Sequence, residues 1–284
     1  MYPEEGGAAP EPGGGGNFKY AVTHNLEGLI PVILILVIGF FLAVQFDVIT
    51  SNTPVVGVVA DIIKGKSQPS SMLIIGATSQ EVITILDDSR DLVAYRIMDP
   101  SMLERNPKEQ LAYYDIVMLD QQEQANKSVS RELGEAIEGY VKRGGKLIVV
   151  LDSGITRPGA PDVAGWKNTF GSVVPVDCDR VINNQPVCMN RISVMGKIYR
   201  IDEEHPIMRG IPVAPADPMV NEYFTVLDVT TDGKEIAYIE DVGPTKKQYP
   251  AIVEKKLVIG KSIYFNYNPG TTRGIFESTL RYLK

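Results

Sequence analysis

The turn Asp152-Ser153-Gly154 carries side chains that could do chemistry, a hydroxyl beside a carboxylate. It follows an uninterrupted apolar stretch, Leu147–Leu151, which is itself preceded by Gly144-Gly145. An amphipathic run that stops at paired glycines and resumes as an apolar segment predicts a helix followed by a buried parallel strand. The turn therefore falls at the carboxyl end of a strand, where ligands bind in open α/β sheets.

A serine at such a turn becomes a nucleophile when a neighbouring base takes its proton. The candidate base is His205, because the other histidine, His24, precedes the apolar segment described below. We expect His205 to be a structural hydrogen-bonding residue. An Asp-Ser-Gly turn is also common, with side chains bonded to nearby backbone N–H groups. A hydrolase that uses Ser153 is therefore kept as an alternative function.

Carboxylates and aromatic residues offer two further kinds of site. Asp120, Asp152 and Glu222 could approach the carboxyl edge of the predicted sheet, where a cluster would bind a divalent cation or a sugar. The competing interpretation is that they are turn residues and helix caps. Trp166, the single tryptophan, and Tyr223 could form a platform for a glycan, or equally be core or loop anchors.

Composition excludes other classes of function. The net charge is −7 at pH 7, the pI is near 5.0, and there is no Lys/Arg cluster with interleaved aromatics, which argues against nucleic acid as a partner. With two histidines and two cysteines, no grouping has metal-ligand spacing. A structural zinc is therefore not expected. We predict no metal and no cofactor, and a cation held by the carboxylates above remains part of the alternative function.

The elements that would position these residues alternate between strands and helices up to Gly154. Apolar strands are predicted at 72–77, 93–98, 115–120 and 146–151, and helices at 81–88, 107–114 and 128–143, with Ser79 as an N-cap. Alternation of this kind predicts an α/β fold with a parallel sheet and right-handed crossovers. Residues 155–196 are predicted to be an insertion over the ligand face, followed by later strands and a final helix, Thr272–Leu283.

The two cysteines, Cys178 and Cys188, bracket a polar loop within this insertion. Their spacing suits a disulfide-closed hairpin. Two free buried thiols are the alternative.

The N-terminal part of the chain has a different composition. Residues 28–46 hold no charged residue and are long enough to cross a bilayer, so we predict an uncleaved transmembrane helix in contact with membrane lipid. Residues 1–27 are then a disordered and juxtamembrane tail, 47–70 a linker, and 71–284 the folded domain. The basic residues flanking the span lean slightly towards a cytoplasmic domain. The disulfide and the sequon at Asn126 favour the opposite orientation, an extracytoplasmic domain, which we predict.

Several short motifs, in order, resemble the class I glutamine amidotransferase-like superfamily, in particular its ThuA-like and uncharacterised membrane-anchored branches. The motifs are Gly144-Gly145-Lys146 leading to Asp152-Ser153-Gly154, His205-Pro206-Ile207 with Gly210-Ile211, Asn221-Glu222-Tyr223, and Ile263–Asn266 before Pro269-Gly270. The resemblance spans roughly 71–284. It implies a flavodoxin-like, three-layer parallel sheet, and it does not settle function.

Catalytic members of that superfamily need a nucleophilic Cys in a strained turn after the fourth strand, with a His and a Glu after the last strand. In this chain the turn holds Ser153 and no cysteine, and Asn268-Pro269-Gly270 stands where a His-Pro-Glu motif would be. The resemblance thus implies a catalytically degenerate domain.

We accordingly predict a membrane-anchored, non-catalytic binding or assembly subunit of a membrane complex, with another membrane protein or a glycan as partner. The alternatives are a hydrolase with a rewired site, using Ser153 or an Asp/Glu metal site, and a glycan-binding sensor. The candidate ligand face comprises Asp120, Asp152, Ser153, Gly154, Glu222 and Asn268.

Overall fold

Buried strands and amphipathic helices alternate through the first half of the domain, as the sequence predicts. A computed structural model describes residues 68–159, 164–178, 181–182 and 185–284, and Gln68–Lys284 form a compact unit of their own. The predicted tail and transmembrane helix, and the linker up to residue 67, lie outside the described residues. Among the residues described, no helix is both long and apolar enough to cross a bilayer.

The sequence explains where the helices begin and which of their faces are buried. Ser79 caps the first helix by accepting a hydrogen bond from the backbone N–H of Val82, and Ser130 caps the third in the same way. The helices are α1 (Gln80–Asp88), α2 (Pro107–Leu111), α3 (Arg131–Lys142) and α4 (Arg273–Leu283). The apolar stripe of α3, which the helical spacing predicts, is buried against the sheet: Leu133, Ile137, Tyr140 and Val141.

One large sheet organises the domain. Its strands are β1 (Ser70–Ile75), β2 (Val93–Met98), β3 (Ile116–Leu119), β4 (Lys146–Val150), β8 (Ile192–Arg200), β9 (Val213–Ala214), β10 (Glu222–Val226), β12 (Lys234–Asp241), β13 (Gln248–Lys256) and β14 (Lys261–Phe265). Four short strands form two small pairs: β5 (Val176–Asp177) with β11 (Thr230–Thr231), and β6 (Val181–Ile182) with β7 (Gln185–Pro186). Because β8 begins at Ile192, the end of the predicted 155–196 insertion belongs to the main sheet.

The prediction of a parallel sheet is correct for one half and wrong for the other. The strand order is β10-β8-β12-β13-β14-β4-β3-β1-β2, with β9 on β8. The five strands from β14 to β2 are parallel, whereas β13, β12, β8 and β10 are antiparallel to their neighbours. The reason is connection length: residues 242–247 and 257–260 join successive strands, and such short turns make hairpins, while a parallel crossover needs a dozen or more residues.

The two ends of the strands in the parallel half of the sheet are distinguished by name. We call the end where these strands begin the amino edge, and the end where they finish the carboxyl edge. β3 and β4 are buried along almost their whole length, as expected for parallel strands covered on both faces. The loops that leave the carboxyl edge carry most of the predicted site residues.

Candidate functional site

Asp120 is the first residue after β3 and is completely buried at the carboxyl edge. Its carboxylate accepts hydrogen bonds from the Thr78 hydroxyl, from the Gln122 backbone N–H at 3.1 Å and from the Gln122 side-chain amide at 3.1 Å. Burial raises the pKa of Asp120 from 3.8 to about 6, against the opposing effects of these donors and of nearby Lys127. The group ties the loops after β1 and β3 together and offers no exposed surface to a ligand.

Asp152 lies in the next loop and is neutralised by two cations. Arg191 donates to both carboxylate oxygens, through Nε at 3.0 Å and Nη2 at 2.9 Å. Lys127 adds an ion pair at 3.9 Å, and the Asp152 side chain is 14% exposed. A bidentate arginine contact satisfies the carboxylate geometrically as well as electrostatically. The charge and the hydrogen-bonding capacity of the Asp152 carboxylate are therefore satisfied by side chains of the same protein.

The predicted disulfide is formed, between Cys178 and Cys188. Cys188 is buried, and Arg191 follows it by three residues. The segment that leaves the disulfide thus carries the cation that covers Asp152, and it also lies close to the Gln122 carbonyl. Through Arg191, this segment contacts two loops of the carboxyl edge.

Ser153 does not have the surroundings of a nucleophile. It is completely buried, and its Oγ accepts a hydrogen bond from the Gln121 backbone N–H at 2.8 Å. Its carbonyl accepts from Trp166 Nε1 at 2.9 Å. The adjacent Gly154 N–H donates to Gln121 Oε1 at 2.8 Å. The serine and glycine of the turn are thus locked to the neighbouring loop.

The candidate base lies elsewhere. His205 Nε2 is 3.2 Å from Glu254 Oε2, and its ring packs edge-on against Tyr282. Both His205 and Glu254 are buried. The histidine is therefore part of a buried pair, as its predicted structural role requires.

The strained position after β4 is Leu151, whose φ is 50°. A β-carbon is disfavoured in this region, and such strain is often found where a catalytic side chain is presented. Here the side chain presented is an isobutyl group that is 2% exposed. It can serve neither as a nucleophile nor as a base.

Asn268 joins the carboxyl edge from the loop after β14. Its Oδ1 accepts from Ser79 Oγ at 3.1 Å, from Gln122 Nε2 at 3.2 Å and from the Gly270 N–H at 3.0 Å. The last of these bonds caps the short turn Pro269–Thr271. Like Asp120, Asn268 connects neighbouring loops.

Glu222 is the predicted site residue that the fold places apart. It begins β10, and four strands separate β10 from β4 in the sheet. Its carboxylate accepts from the Tyr223 N–H, and it lines a separate cavity of about 270 Å³ with residues of the α4 N-terminus. Glu222 therefore does not join Asp120 and Asp152 in the cluster that the sequence left open. Within the described part of the chain, no three His, Cys, Asp or Glu residues are grouped to hold a metal.

The aromatic platform is not assembled either. Trp166 is completely buried and packs edge-on against Tyr264 with ring centroids 5.6 Å apart. Tyr223 is 70% exposed on the edge strand β10. One ring is a core residue and the other a surface residue, so they do not form a joint glycan surface.

A cleft of about 740 Å³ beside the carboxyl edge was missed by the sequence reasoning. It opens between the loops after β2, β3 and β4, and its lining includes Asp99, Ser101, Glu104, Gln124, Asn126 and Arg157. Asp99 already accepts from Ser101 and Gln124. Gln121 and Gln122 connect the loops of the carboxyl edge, and their position directly after a predicted strand could have identified them. Arg191 could not be identified from the sequence, because its contact with Asp152 joins residues that are 39 positions apart.

Comparison with known proteins gives fold-level similarities. No family model and no curated protein matches the chain. Similar solved structures include a β-galactosidase from Bacillus circulans sp. alkalophilus, with 12% identity over 78% of this chain and 32% of that one, and a TM-score of 0.49. They also include a putative ThuA-like protein from Bacteroides uniformis, with 14% identity, 76% and 91% coverage and a TM-score of 0.47.

A putative GMP synthase component from Thermoplasma acidophilum has 9% identity, 76% and 94% coverage and a TM-score of 0.39. The chain spans about a third of the length of the β-galactosidase it matches. The ThuA-like protein belongs by name to the group that the sequence motifs resemble. At these identities and TM-scores, the comparisons assign the chain to no family.

Proposed function

We propose that residues 71–284 form a non-catalytic binding module, which serves in the assembly of a membrane complex and is anchored by residues 28–46. Its partner is another membrane protein, and the domain lies outside the cytoplasm. The observation that carries the proposal is the closure of the carboxyl edge by its own side chains. Ser153 has no exposed surface, and Asp152 is held by Arg191 and Lys127.

The hydrolase alternative requires several of these contacts to break together. Ser153 would have to release the Gln121 N–H, and a base would have to come from another part of the chain, since the His205 ring contacts Glu254 and Tyr282 rather than the turn after β4. Leaving such buried polar groups unpaired costs about 1–3 kcal/mol each. A closed, fully bonded edge is better suited to a rigid scaffold than to turnover.

The cleft beside the edge supports a second candidate, a polar-ligand sensor. Its volume of about 740 Å³ falls within the range of ligand pockets, and amide, hydroxyl and carboxylate groups line it. A glycan or another polar molecule would suit this lining. Exposed aromatic rings are absent from the lining residues that the structure describes, which favours the assembly function over the glycan sensor.

The test is co-purification of the full-length chain in mild detergent from its native membrane, with parallel screens for hydrolase activity and for glycan binding. We expect a stoichiometric membrane protein to co-purify. A Ser153→Ala variant is compared with Ser262→Ala, because both serines are completely buried and each makes a side-chain hydrogen bond.

If the two variants give the same result in co-purification and in both screens, the role of Ser153 is purely structural. Turnover abolished by Ser153→Ala and retained in Ser262→Ala would overturn the proposal. So would a chain that purifies alone and binds a glycan in the cleft.

A further inference from the structure

The turn between β13 and β14 exposes two aliphatic side chains at the amino edge. Val258 is fully exposed and Ile259 is 65% exposed. The Leu257 N–H donates to the Gly260 carbonyl at 2.9 Å, which closes the turn tightly. Gly260 is pressed against α3, since a β-carbon there would lie 1.9 Å from the Val141 carbonyl oxygen. The turn is thus held rigidly with its apolar side chains in solvent.

Cations surround this apolar tip. We call Arg143, Lys146, Lys256 and Lys261 the basic collar. The loop after α3 lies against the turn, because the Lys261 N–H donates to the Gly145 carbonyl at 3.3 Å and a β-carbon at Gly144 would lie 3.7 Å from Ile259 Cδ1. The Lys256 side chain is 63% exposed, and Arg143 is exposed as well.

Two carboxylates near the tip, Glu254 and Asp115, are held by internal partners. Glu254 is buried and bonded to His205 and Tyr282. Asp115 accepts from both the backbone N–H and the hydroxyl of Ser71 at 2.8 Å. Within the collar, Lys256 Nζ lies 3.5 Å from Glu254 and Lys146 Nζ donates to the Lys284 carbonyl at 3.3 Å, and the four cations outnumber these two carboxylates.

An aromatic side chain stands further along the edge. Tyr113, 67% exposed, precedes β3, and its carbonyl accepts from the Ser71 hydroxyl near the start of β1. The chain enters β1 at Ser70 on this same edge. Aliphatic side chains ringed by Lys and Arg, with a tyrosine at the margin, match the composition of sites that rest on lipid headgroups.

We propose that the amino edge docks on an anionic lipid surface. Val258 and Ile259 enter the headgroup region, and the basic collar binds the lipid phosphates and carboxylates. The inference concerns the edge opposite the proposed site, and it stands independently of the assembly function.

The experiment places an environment-sensitive fluorophore on Val258→Cys of the full chain. The chain is combined with phosphatidylcholine vesicles, with or without phosphatidylserine, that carry a spin-labelled quenching lipid. Asn126→Cys, exposed at the carboxyl edge, is the reference position. We expect quenching at 258 only, stronger with phosphatidylserine and reduced by salt. The label at 258 reports lipid contact of the amino edge whether or not residues 28–46 insert into the bilayer. A negative result for docking can therefore be distinguished from a negative result for the membrane anchor.

Second-site variants then separate the apolar and charged contributions. Ile259→Ser should weaken docking about tenfold, as expected for withdrawing one large aliphatic side chain from lipid. Its matched control, Met102→Ser, alters a residue with the same 65% exposure and should change nothing. Lys256→Gln and Arg143→Gln should each weaken docking about fivefold in anionic vesicles. Equal quenching at 258 and 126, or no response to Ile259→Ser, would overturn the proposal.

Discussion

Changing Asp120 to Asn will make the stability of the domain less dependent on pH. Burial raises the pKa of Asp120 from 3.8 to about 6 in the folded chain. The folded protein therefore binds this proton more tightly than the unfolded chain, so stability falls as the pH rises from about 4 to about 6. At about 1.4 kcal/mol per tenfold change in affinity, ionising Asp120 costs about 3 kcal/mol at pH 7.

Asparagine keeps the shape and removes the charge. Its carbonyl can still accept from the Gln122 N–H, and the Thr78 hydroxyl can rotate to accept from the new amide. The Gln122 side-chain amide loses its acceptor when Oδ2 becomes an amide nitrogen, which costs about 1.5 kcal/mol at either pH. We therefore expect Asp120→Asn to stabilise the domain by about 1–2 kcal/mol at pH 7 and to destabilise it by a similar amount at pH 4.

Urea unfolding across this pH range measures both effects. The fluorescence of Trp166, the single and buried tryptophan, reports the transition. Asp99→Asn is the control, because hydrogen bonds from Ser101 lower the pKa of Asp99 and predict the opposite slope. If the difference in unfolding free energy between wild type and Asp120→Asn were the same at pH 4 and pH 7, the reasoning from burial would be refuted.

Three further substitutions test contacts around the site and core. Arg191→Gln should cost about 1–3 kcal/mol, because the carboxylate it holds is 14% exposed, and Arg191→Lys should restore only part of this in urea titrations. His205→Ala should cost about 3–5 kcal/mol in thermal unfolding, since it leaves Glu254 buried without its histidine partner, and a loss below about 1 kcal/mol would contradict the pairing. Gly154→Ala should cost more than about 2 kcal/mol, because φ is 69° and the new carbon would lie 2.7 Å from an aromatic ring. Gly159→Ala, with φ of 77° and no atom of the described residues within 4 Å, shows the cost of strain alone, about 1 kcal/mol.

Features that depend on neighbouring residues in sequence could be predicted. The Ser79 cap, the buried stripe of α3 and the position of the Asp152-Ser153-Gly154 turn after β4 all follow from local spacing. The disulfide was predicted from loop length and composition, and it is formed. In each case the determining interactions lie within about a dozen residues, which a single sequence displays directly.

Features set by strand order could not be predicted in the same way. The sequence left open whether Glu222 lies beside Asp120 and Asp152, and the antiparallel half of the sheet places it on the far side. Arg191 reaches Asp152 only because β8 and the disulfide segment fold back over the carboxyl edge. The short connection at residues 257–260 was the available signal for a hairpin, and it would have excluded an all-parallel sheet.

The pairing of β4 has a consequence for how the chain is made. β4 lies between β3 and β14, and β14 is the last strand of the chain, with Lys146 opposite Lys261. During synthesis, the edge of the apolar strand β4 that pairs with β14 therefore stays without a partner until nearly the whole polypeptide has been translated. Such an exposed strand is a template for aggregation. Chains that end before Lys261 should collect in inclusion bodies, and nascent chains of that length should associate with chaperones until β14 arrives.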